Sequence, residues 1–96
     1  VNPPMDKPLF LLFPLGFTDR LYITDDANNV VYLWRFNATS PMLTLSNVND
    51  GTVLSKPKGM KLDQHGNLYV ADSENTRIVM YCNNSTTGIV VATLTA

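Results

Sequence analysis

The sequence predicts an all-β protein made of two copies of one four-stranded antiparallel unit. The first observation is a repeat, in which Leu21–Asp25 (LYITD) recurs as Leu68–Asp72 (LYVAD) at a shift of 47 residues. The second is that short apolar runs alternate with turn residues about every 8–12 residues, as in sandwiches, barrels and propellers. The third is that no long segment carries the apolar spacing of an amphipathic helix.

The repeat extends well beyond this segment. At the same shift the matched pairs are Asn28 and Asn75, Val31 and Ile78, Leu33 and Met80, Trp34 and Tyr81, Asn37 and Asn84, and Thr39 and Thr86. Upstream the shift becomes 49, where Lys7 matches Lys56. The change lies where the first copy has Phe13–Gly16 and the second has the turn Asp63–Asn67. Agreement of apolar, acidic and aromatic positions over this length indicates a true repeat.

Each copy is expected to contain four strands. They are expected at about 10–17, 20–25, 30–36 and 42–46, and again at about 58–63, 67–72, 77–82 and 89–94. Four antiparallel strands in a period of this length are typical of a β-propeller blade. We therefore predict a first blade with its linker over residues 1–49 and a second blade over residues 50–96.

The second copy resembles a known repeat. Pro57–Ile78 follows the pattern of the NHL repeat, with Pro-x-Gly, an apolar strand, Asp-x-x-Gly-Asn and then LYVADSENTRI. The first copy matches the NHL pattern over Leu21–Trp34, but it lacks the Asp-x-x-Gly turn and has Val30 in place of the arginine. Its segment Arg20–Asp25 is also similar to YWTD propeller repeats. The resemblance implies two blades of a larger propeller or of a head-to-tail array.

Several residues of the repeat are predicted to be structural. Asp25 and Asp72 close a strand and would accept backbone N–H groups two or three residues later; a metal or ligand carboxylate is the alternative. Asn28 and Asn75 are expected to adopt the left-handed backbone conformation, and Gly66 to form a hairpin turn. Arg77 would brace Asp72 or Glu74. Trp34 and Tyr81 are expected to pack between blades, and Cys82 to be a free buried thiol, with an interchain disulfide as the alternative.

Three N-x-[ST] acceptors begin at Asn37, Asn83 and Asn84. Asn37 and Asn84 are equivalent in the repeat and fall between the third and fourth strands, where a glycan would project into solvent. The sequence thus predicts an extracellular, secreted protein with N-linked glycans on Asn37 and on Asn83 or Asn84.

Composition limits the other functions. The formal net charge is −1, whereas nucleic-acid surfaces are basic. One cysteine and one histidine, His65, exclude an internal disulfide and a multi-Cys or multi-His metal centre from this chain alone. The apolar run 9–17 is about half the length of a membrane helix. The resemblance implies that the amidating lyases among NHL propellers use several histidines and a metal, so their activity does not carry over. We expect no catalytic or metal site and no cofactor.

Two functions remain from the sequence. In the first, the chain is a structural unit, because each face of a blade is apolar and must pack on a neighbour; two blades alone would leave two bare outer faces. The two copies span two full periods, as expected for a unit that packs head to tail with copies of itself or with adjacent repeats. In the second, the chain is a recognition module that binds a protein or glycan through the polar loop face carrying Asp26, Asn29, Glu74 and Arg77.

Overall fold

The computed structural model describes residues 8–94, and these form two β-sheets. The first sheet has the order β1-β2-β3-β4, with every pair antiparallel. Its strands are β1 Pro8–Leu12, β2 Arg20–Asp25, β3 Val30–Arg35 and β4 Leu43–Leu45. The predicted all-β class and the four-stranded antiparallel blade are confirmed here.

The second sheet repeats this arrangement and adds one strand. Its elements are β5 Asn47–Val48, β6 Pro57–Leu62, β7 Leu68–Asp72, a 3₁₀ turn Ser73–Asn75, β8 Arg77–Tyr81 and β9 Thr87–Thr93. Strands β6 to β9 are antiparallel in sequence order. None of the helical structure within residues 8–94 is long and apolar enough to cross a membrane.

The linker between the blades contributes the extra strand. Strand β5 pairs in parallel with the start of β9, through Asn47 with Thr87 and Val48 with Gly88. The linker then crosses from the outer strand of the second sheet to its inner strand, and Val48 and Leu54 are buried on the way. The predicted boundary at residue 49 therefore does not separate the two sheets.

The main core lies between the two sheets. Side chains alternate across each strand, so we call the side of a blade that faces the following blade its front face and the opposite side its rear face. The front face of the first blade packs on the rear face of the second, and the linker fills the space between them. This core contains Tyr22, Val31, Leu33, Leu45, Val48, Leu54, Met60, Leu68, Val70, Val79 and Tyr81.

The outer faces of the two blades differ. On the rear face of the first blade, Ile23, Tyr32 and Trp34 form a separate buried cluster, and the Tyr32 and Trp34 rings meet edge to face. On the second blade, Ile89 and Val91 are exposed. The expectation of two bare outer faces is thus wrong for the first blade. Trp34 also does not pack between these two blades, whereas Tyr81 does.

The connection after β1 departs from the predicted strand 10–17. Strand β1 ends at Leu12, and residues 13–19 form a loop that turns at Gly16, where φ is +78°. Pro14 lacks a backbone N–H, which explains why the apolar run does not continue as a paired strand. Phe13, Leu15 and Phe17 are consequently about half exposed.

Candidate functional site

A buried ion pair joins the two ends of the β7–β8 hairpin in the second blade. Asp72 is the last residue of β7 and pairs in register with Arg77, the first residue of β8. The Arg77 Nε donates a hydrogen bond to Asp72 Oδ2 at 2.7 Å. The Asp72 carboxylate is fully buried and Arg77 is only 8% exposed. Burial of both charges makes the pair sensitive to the loss of either partner.

The same two residues hold the linker in place. The backbone N–H of Ser55 donates to Asp72 Oδ1 at 2.6 Å. The Arg77 Nη2 donates to Thr52 Oγ1 at 2.8 Å, and Nη1 lies 3.4 Å from the Asp50 carboxylate. We call Asp72, Arg77 and these three linker residues the clasp. Because its donors and acceptors are used within the chain, the clasp fixes the linker against the blade and offers no ligand position.

These contacts correct two predictions from the sequence. Arg77 does not lie on an open partner face, because the linker covers it. Asp72 accepts the backbone N–H of Ser55, 17 residues earlier in the chain, and not one from the turn that follows. The local pattern around Asp72 could not show this partner, which lies in the linker 17 residues earlier.

The left-handed turn residues lie one position later than predicted. Positive φ occurs at Asn29 (61°) and Thr76 (48°), not at Asn28 and Asn75. The Asn28 Nδ2 donates to Asp25 Oδ2 at 2.9 Å, and the Asn75 Nδ2 donates equivalently to Asp72 at 3.0 Å. The two asparagines thus bind the carboxylate that ends the preceding strand, and the residue after each one takes the strained backbone conformation.

The first blade has an equivalent of Asp72 but no equivalent of Arg77. Asp25 is fully buried and accepts hydrogen bonds from the backbone N–H and the side chain of Asn28. In register with Asp25 stands Val30, where the second blade has an arginine. The repeat therefore keeps the carboxylate and changes the residue that faces it.

Polar contacts from the β2–β3 side of the first blade reach the second blade. The Thr24 Oγ1 donates to the carbonyl of Lys58 at 3.1 Å, and Asn29 Oδ1 accepts the backbone N–H of Lys56 at 2.9 Å. Asp26 lies 3.5 Å from the Lys58 Nζ. Two of the residues predicted to face a partner, Asp26 and Asn29, are thus engaged inside the chain.

Glu74 is the remaining predicted partner-face residue. Its side chain is exposed, and its backbone N–H donates to the carbonyl of Ser55 at 3.1 Å. Arg77 is covered by the linker, whereas Asn29 and Glu74 are exposed on this face, so partner binding there stays a prediction.

The hairpin turn at Asp63–Asn67 is held by one carboxylate. Asp63 Oδ1 accepts the backbone N–H groups of His65 and Asn67, and Oδ2 accepts the Tyr69 hydroxyl. Desolvation alone would raise the pKa of Asp63, but these hydrogen bonds outweigh it and the pKa is lowered. Gly66 takes φ +82° in this turn, and the His65 side chain is exposed.

The glycosylation acceptors lie at the same end of the blades as this turn. Asn37 and Asn84 are exposed and share one backbone conformation, with φ values of 65° and 66°. Asn83 is exposed as well, but its side-chain nitrogen lies against Gly66, where an added Cβ would come within 2.9 Å of it. Cys82 precedes them as a free, half-buried thiol.

A groove of about 260 Å³ opens between the blades beside these asparagines. Its walls are mostly apolar and come from the loop after β1, from the core, and from the β6–β7 and β8–β9 turns. The lining residues are Pro14, Leu15, Phe17, Arg20, Tyr22, Leu33, Met42, Leu43, Leu62, Gly66, Asn83 and Asn84. The sequence analysis did not predict this groove, although an apolar stretch in place of a polar turn was its signal.

Across residues 8–94, no three His, Cys, Asp or Glu side chains come together as a group able to hold a metal ion. The buried polar side chains of this part all have hydrogen-bond partners. The contacts of the clasp attach the linker to the second blade, and those of Thr24, Asp26 and Asn29 join the two blades.

Comparison with known families agrees with the second copy of the repeat. Residues 54–81 match the family model of the NHL repeat, which confirms the resemblance predicted for the second copy. The matched segment contains β6, β7 and β8 together with Ser55, Asp72 and Arg77 of the clasp. A search of curated proteins gave no significant match. An NHL repeat indicates a β-propeller module used for structure or protein interaction, and most such modules are non-catalytic scaffolds.

Proposed function

Because this chain carries an NHL repeat, we propose that it is a non-enzymatic structural unit of an extracellular, N-glycosylated assembly. In this assembly the two-blade units pack head to tail. The front face of the second blade of one unit receives the rear face of the first blade of another copy. The contact has the same arrangement as the blade contact inside the chain.

One observation carries the proposal, namely an apolar face that is largely buried in the first blade, whereas its equivalent in the second blade is half-buried at Tyr69, Ile78 and Met80 and exposed at Ile89 and Ala92. The equivalent front-face pairs are Tyr22 and Tyr69, Val31 and Ile78, Leu33 and Met80, Leu43 and Ile89, and Leu45 and Ala92. Val31 and Leu45 are 0% and 1% exposed, whereas Ile89 is 39% exposed. Soluble proteins seldom leave such a face uncovered.

The rear face of the first blade is equivalent to the face that covers a front face inside the chain, and docking of another copy must uncover Ile23, Tyr32 and Trp34, which are buried within the unit. The rear-face residues Leu21, Ile23, Tyr32 and Trp34 are equivalent to Leu68, Val70, Val79 and Tyr81, which pack against the first blade within the chain. Contact between two different faces is heterologous, so repetition gives a ring if the rotation closes and a filament if it does not. We favour the open array.

The contact between copies should be weaker than the contact within the chain. Thr24 donates across the internal contact, but Ala71 occupies the equivalent position on the free front face and has no hydroxyl. Likewise Ser73 replaces Asp26, which faces Lys58. We therefore expect assembly to depend on protein concentration, with the two-blade unit as the smallest species.

The test is the mass in solution by analytical ultracentrifugation, with negative-stain microscopy to separate rings from filaments. We expect wild-type species larger than the 10.7 kDa chain and a shift to the monomer for Ile89→Asp. Val53→Asp is the matched control, because Val53 is equally β-branched and 53% exposed but belongs to the linker. A wild-type chain that stays monomeric, or equal effects of both variants, would contradict the packing proposed here.

Secretion and glycosylation rest on the acceptor triplets. Asn37 and Asn84 are equivalent in the repeat, exposed and alike in backbone conformation. Expression in a secreting eukaryotic host should add sugar-sized mass that an N-glycosidase removes. Thr39→Ala should abolish one addition, and Ser85→Ala with Thr86→Ala, which removes the acceptors at both Asn83 and Asn84, should abolish the other; Thr86→Ser keeps the acceptor pattern and should keep the addition. An unmodified secreted chain would contradict this part of the proposal and leave the packing proposal standing.

A further inference from the structure

We propose that the glycan on Asn84 lies in the apolar groove between the blades and covers the exposed aromatic loop beside it. This inference rests on the glycosylation proposed above and names where the sugar binds. The occupant is therefore the first sugar ring of the chain's own N-linked glycan.

The groove lies where the core between the blades opens to solvent. Tyr22 and Leu33 of the core form part of its lining, and the loop after β1 supplies Leu15 and Phe17. Leu15 is 52% exposed and Phe17 is 47% exposed. In the second blade the equivalent connection is the polar turn Asp63–Asn67. The apolar surface is therefore specific to the first blade and is not required by the repeat.

The exposed patch extends toward the other acceptor. Phe13 is 54% exposed and meets Phe36 edge to face, with ring centroids 6.4 Å apart. Phe36 immediately precedes Asn37, the first-blade equivalent of Asn84. The aromatic patch thus lies between the two acceptor asparagines, and a sugar on either one starts at its margin.

The groove offers the chemistry that a sugar ring needs. Sugar rings have apolar C–H faces, which pack on aromatic rings, and hydroxyl groups, which require hydrogen-bond partners. Phe17 supplies a ring, and the Arg20 guanidinium stacks 4.1 Å from its centre while bonding to Asp19. The Asn83 amide also lines the groove. A volume of 260 Å³ lies below the range of about 300–1,000 Å³ that holds drug-sized ligands, which suits a single ring.

Because the glycan would be covalently attached beside the groove, weak contacts with the groove wall are enough to keep its first sugar ring bound. Asn84 itself lines the groove, so a sugar on its side chain is held next to the apolar wall by a few bonds. Such a tether gives an effective concentration on the order of millimolar or more. Asn83 is less suited as the attachment point, because its side-chain nitrogen is packed against Gly66.

The test uses the full chain secreted from a eukaryotic host. Peptide mapping first establishes occupancy at Asn84, and the fluorescence of the dye ANS then measures exposed apolar surface. We expect native removal of the glycan by an N-glycosidase to raise ANS fluorescence severalfold. Asn84→Asp, combined with Ser85→Ala to remove the Asn83 acceptor, has at position 84 the side chain that the enzyme leaves behind, so it should show the high signal from the start.

Two further variants separate the possible outcomes. Phe17→Ser with Leu15→Ser makes the groove wall polar, and in this variant glycan removal should leave the ANS signal unchanged. Thr39→Ala keeps the Asn84 glycan and should keep the low signal. If Asn84 carries a glycan and its enzymatic removal leaves the ANS fluorescence of the wild-type chain unchanged, the groove inference is overturned while the glycosylation proposal stands. A chain with a glycan on Asn37 or Asn83 but none on Asn84 would overturn the groove inference alone, and a chain with no glycan at any of the three acceptors would overturn both.

Discussion

Replacing Asp72 by Asn should reduce stability more than any other conservative change in the repeat. Asp72 is fully buried and binds the Arg77 Nε at 2.7 Å and the Ser55 N–H at 2.6 Å. Removing one charge of a buried pair costs about 3–5 kcal/mol. Since asparagine keeps one acceptor oxygen, we expect about 2–3 kcal/mol. For a domain of this size that lowers Tm by roughly 10–20 °C.

The repeat provides the matched control. Asp25→Asn removes the equivalent carboxylate of the first blade, where Val30 stands in place of an arginine; no arginine in register is left unpaired, so it should cost less than Asp72→Asn. Arg77→Val copies that first-blade position. The double variant with Asp72→Asn should be more stable than the sum of the single effects predicts, because no buried cation remains unpaired.

The assay is thermal and urea unfolding followed by far-UV circular dichroism. All variants are compared at one protein concentration, because assembly would otherwise shift the midpoints. If Asp72→Asn loses no more stability than Asp25→Asn, or if the double variant is simply additive, the ion pair does not hold the linker as argued here.

Three smaller predictions concern packing, pH and one hydroxyl. Gly88→Ala should cost about 1–3 kcal/mol in urea unfolding, because its Cβ would clash with the Val79 Cγ1 and lie 2.9 Å from the Tyr81 ring; Gly59→Ala meets no atom within 4 Å and should be nearly neutral. Hydrogen bonding lowers the pKa of Asp50, and it also lowers the pKa of Asp63 although desolvation opposes that shift. The stabilisation from both carboxylates is present above the unfolded pKa of about 3.9 and is lost as pH falls through the lower folded pKa values. Asp63→Asn should therefore make the unfolding free energy depend less on pH in acid. Tyr81→Phe removes the hydroxyl that donates to Asn47 O at 3.1 Å and should lower the unfolding free energy by about 1 kcal/mol, whereas no change would show that this contact does not stabilise the linker.

The sequence predicted the strands well wherever local patterning decides them. Strand β2 occupies the expected residues 20–25, and β8 ends one residue before the expected 82. Strand β5 was missed, because its partner Gly88 lies far along the chain and no local pattern marks it. The expected strand 10–17 was too long, since an apolar run can be exposed loop as well as buried strand.

The candidate site was predictable only in part. The role of Asp72 in closing a strand follows from its position, but its hold on the Ser55 N–H depends on where the linker crosses. The asparagine side chains and the left-handed residues were assigned to the same positions, whereas the structure divides these roles between neighbours. The groove needed the relative placement of two blades, which repeat periodicity does not contain.

The linker strand β5 also bears on how the protein folds during synthesis. The β2–β3 and β7–β8 hairpins pair residues close in sequence and can form early, whereas Asn47 must wait for Thr87 to be synthesised. Until then Val48 and Leu54, which are buried in the finished protein, have no outer strand to cover them. The nascent first blade therefore leaves the ribosome with its apolar front face exposed to solvent. During this interval the chain should be open to binding by chaperones and to premature association with other chains.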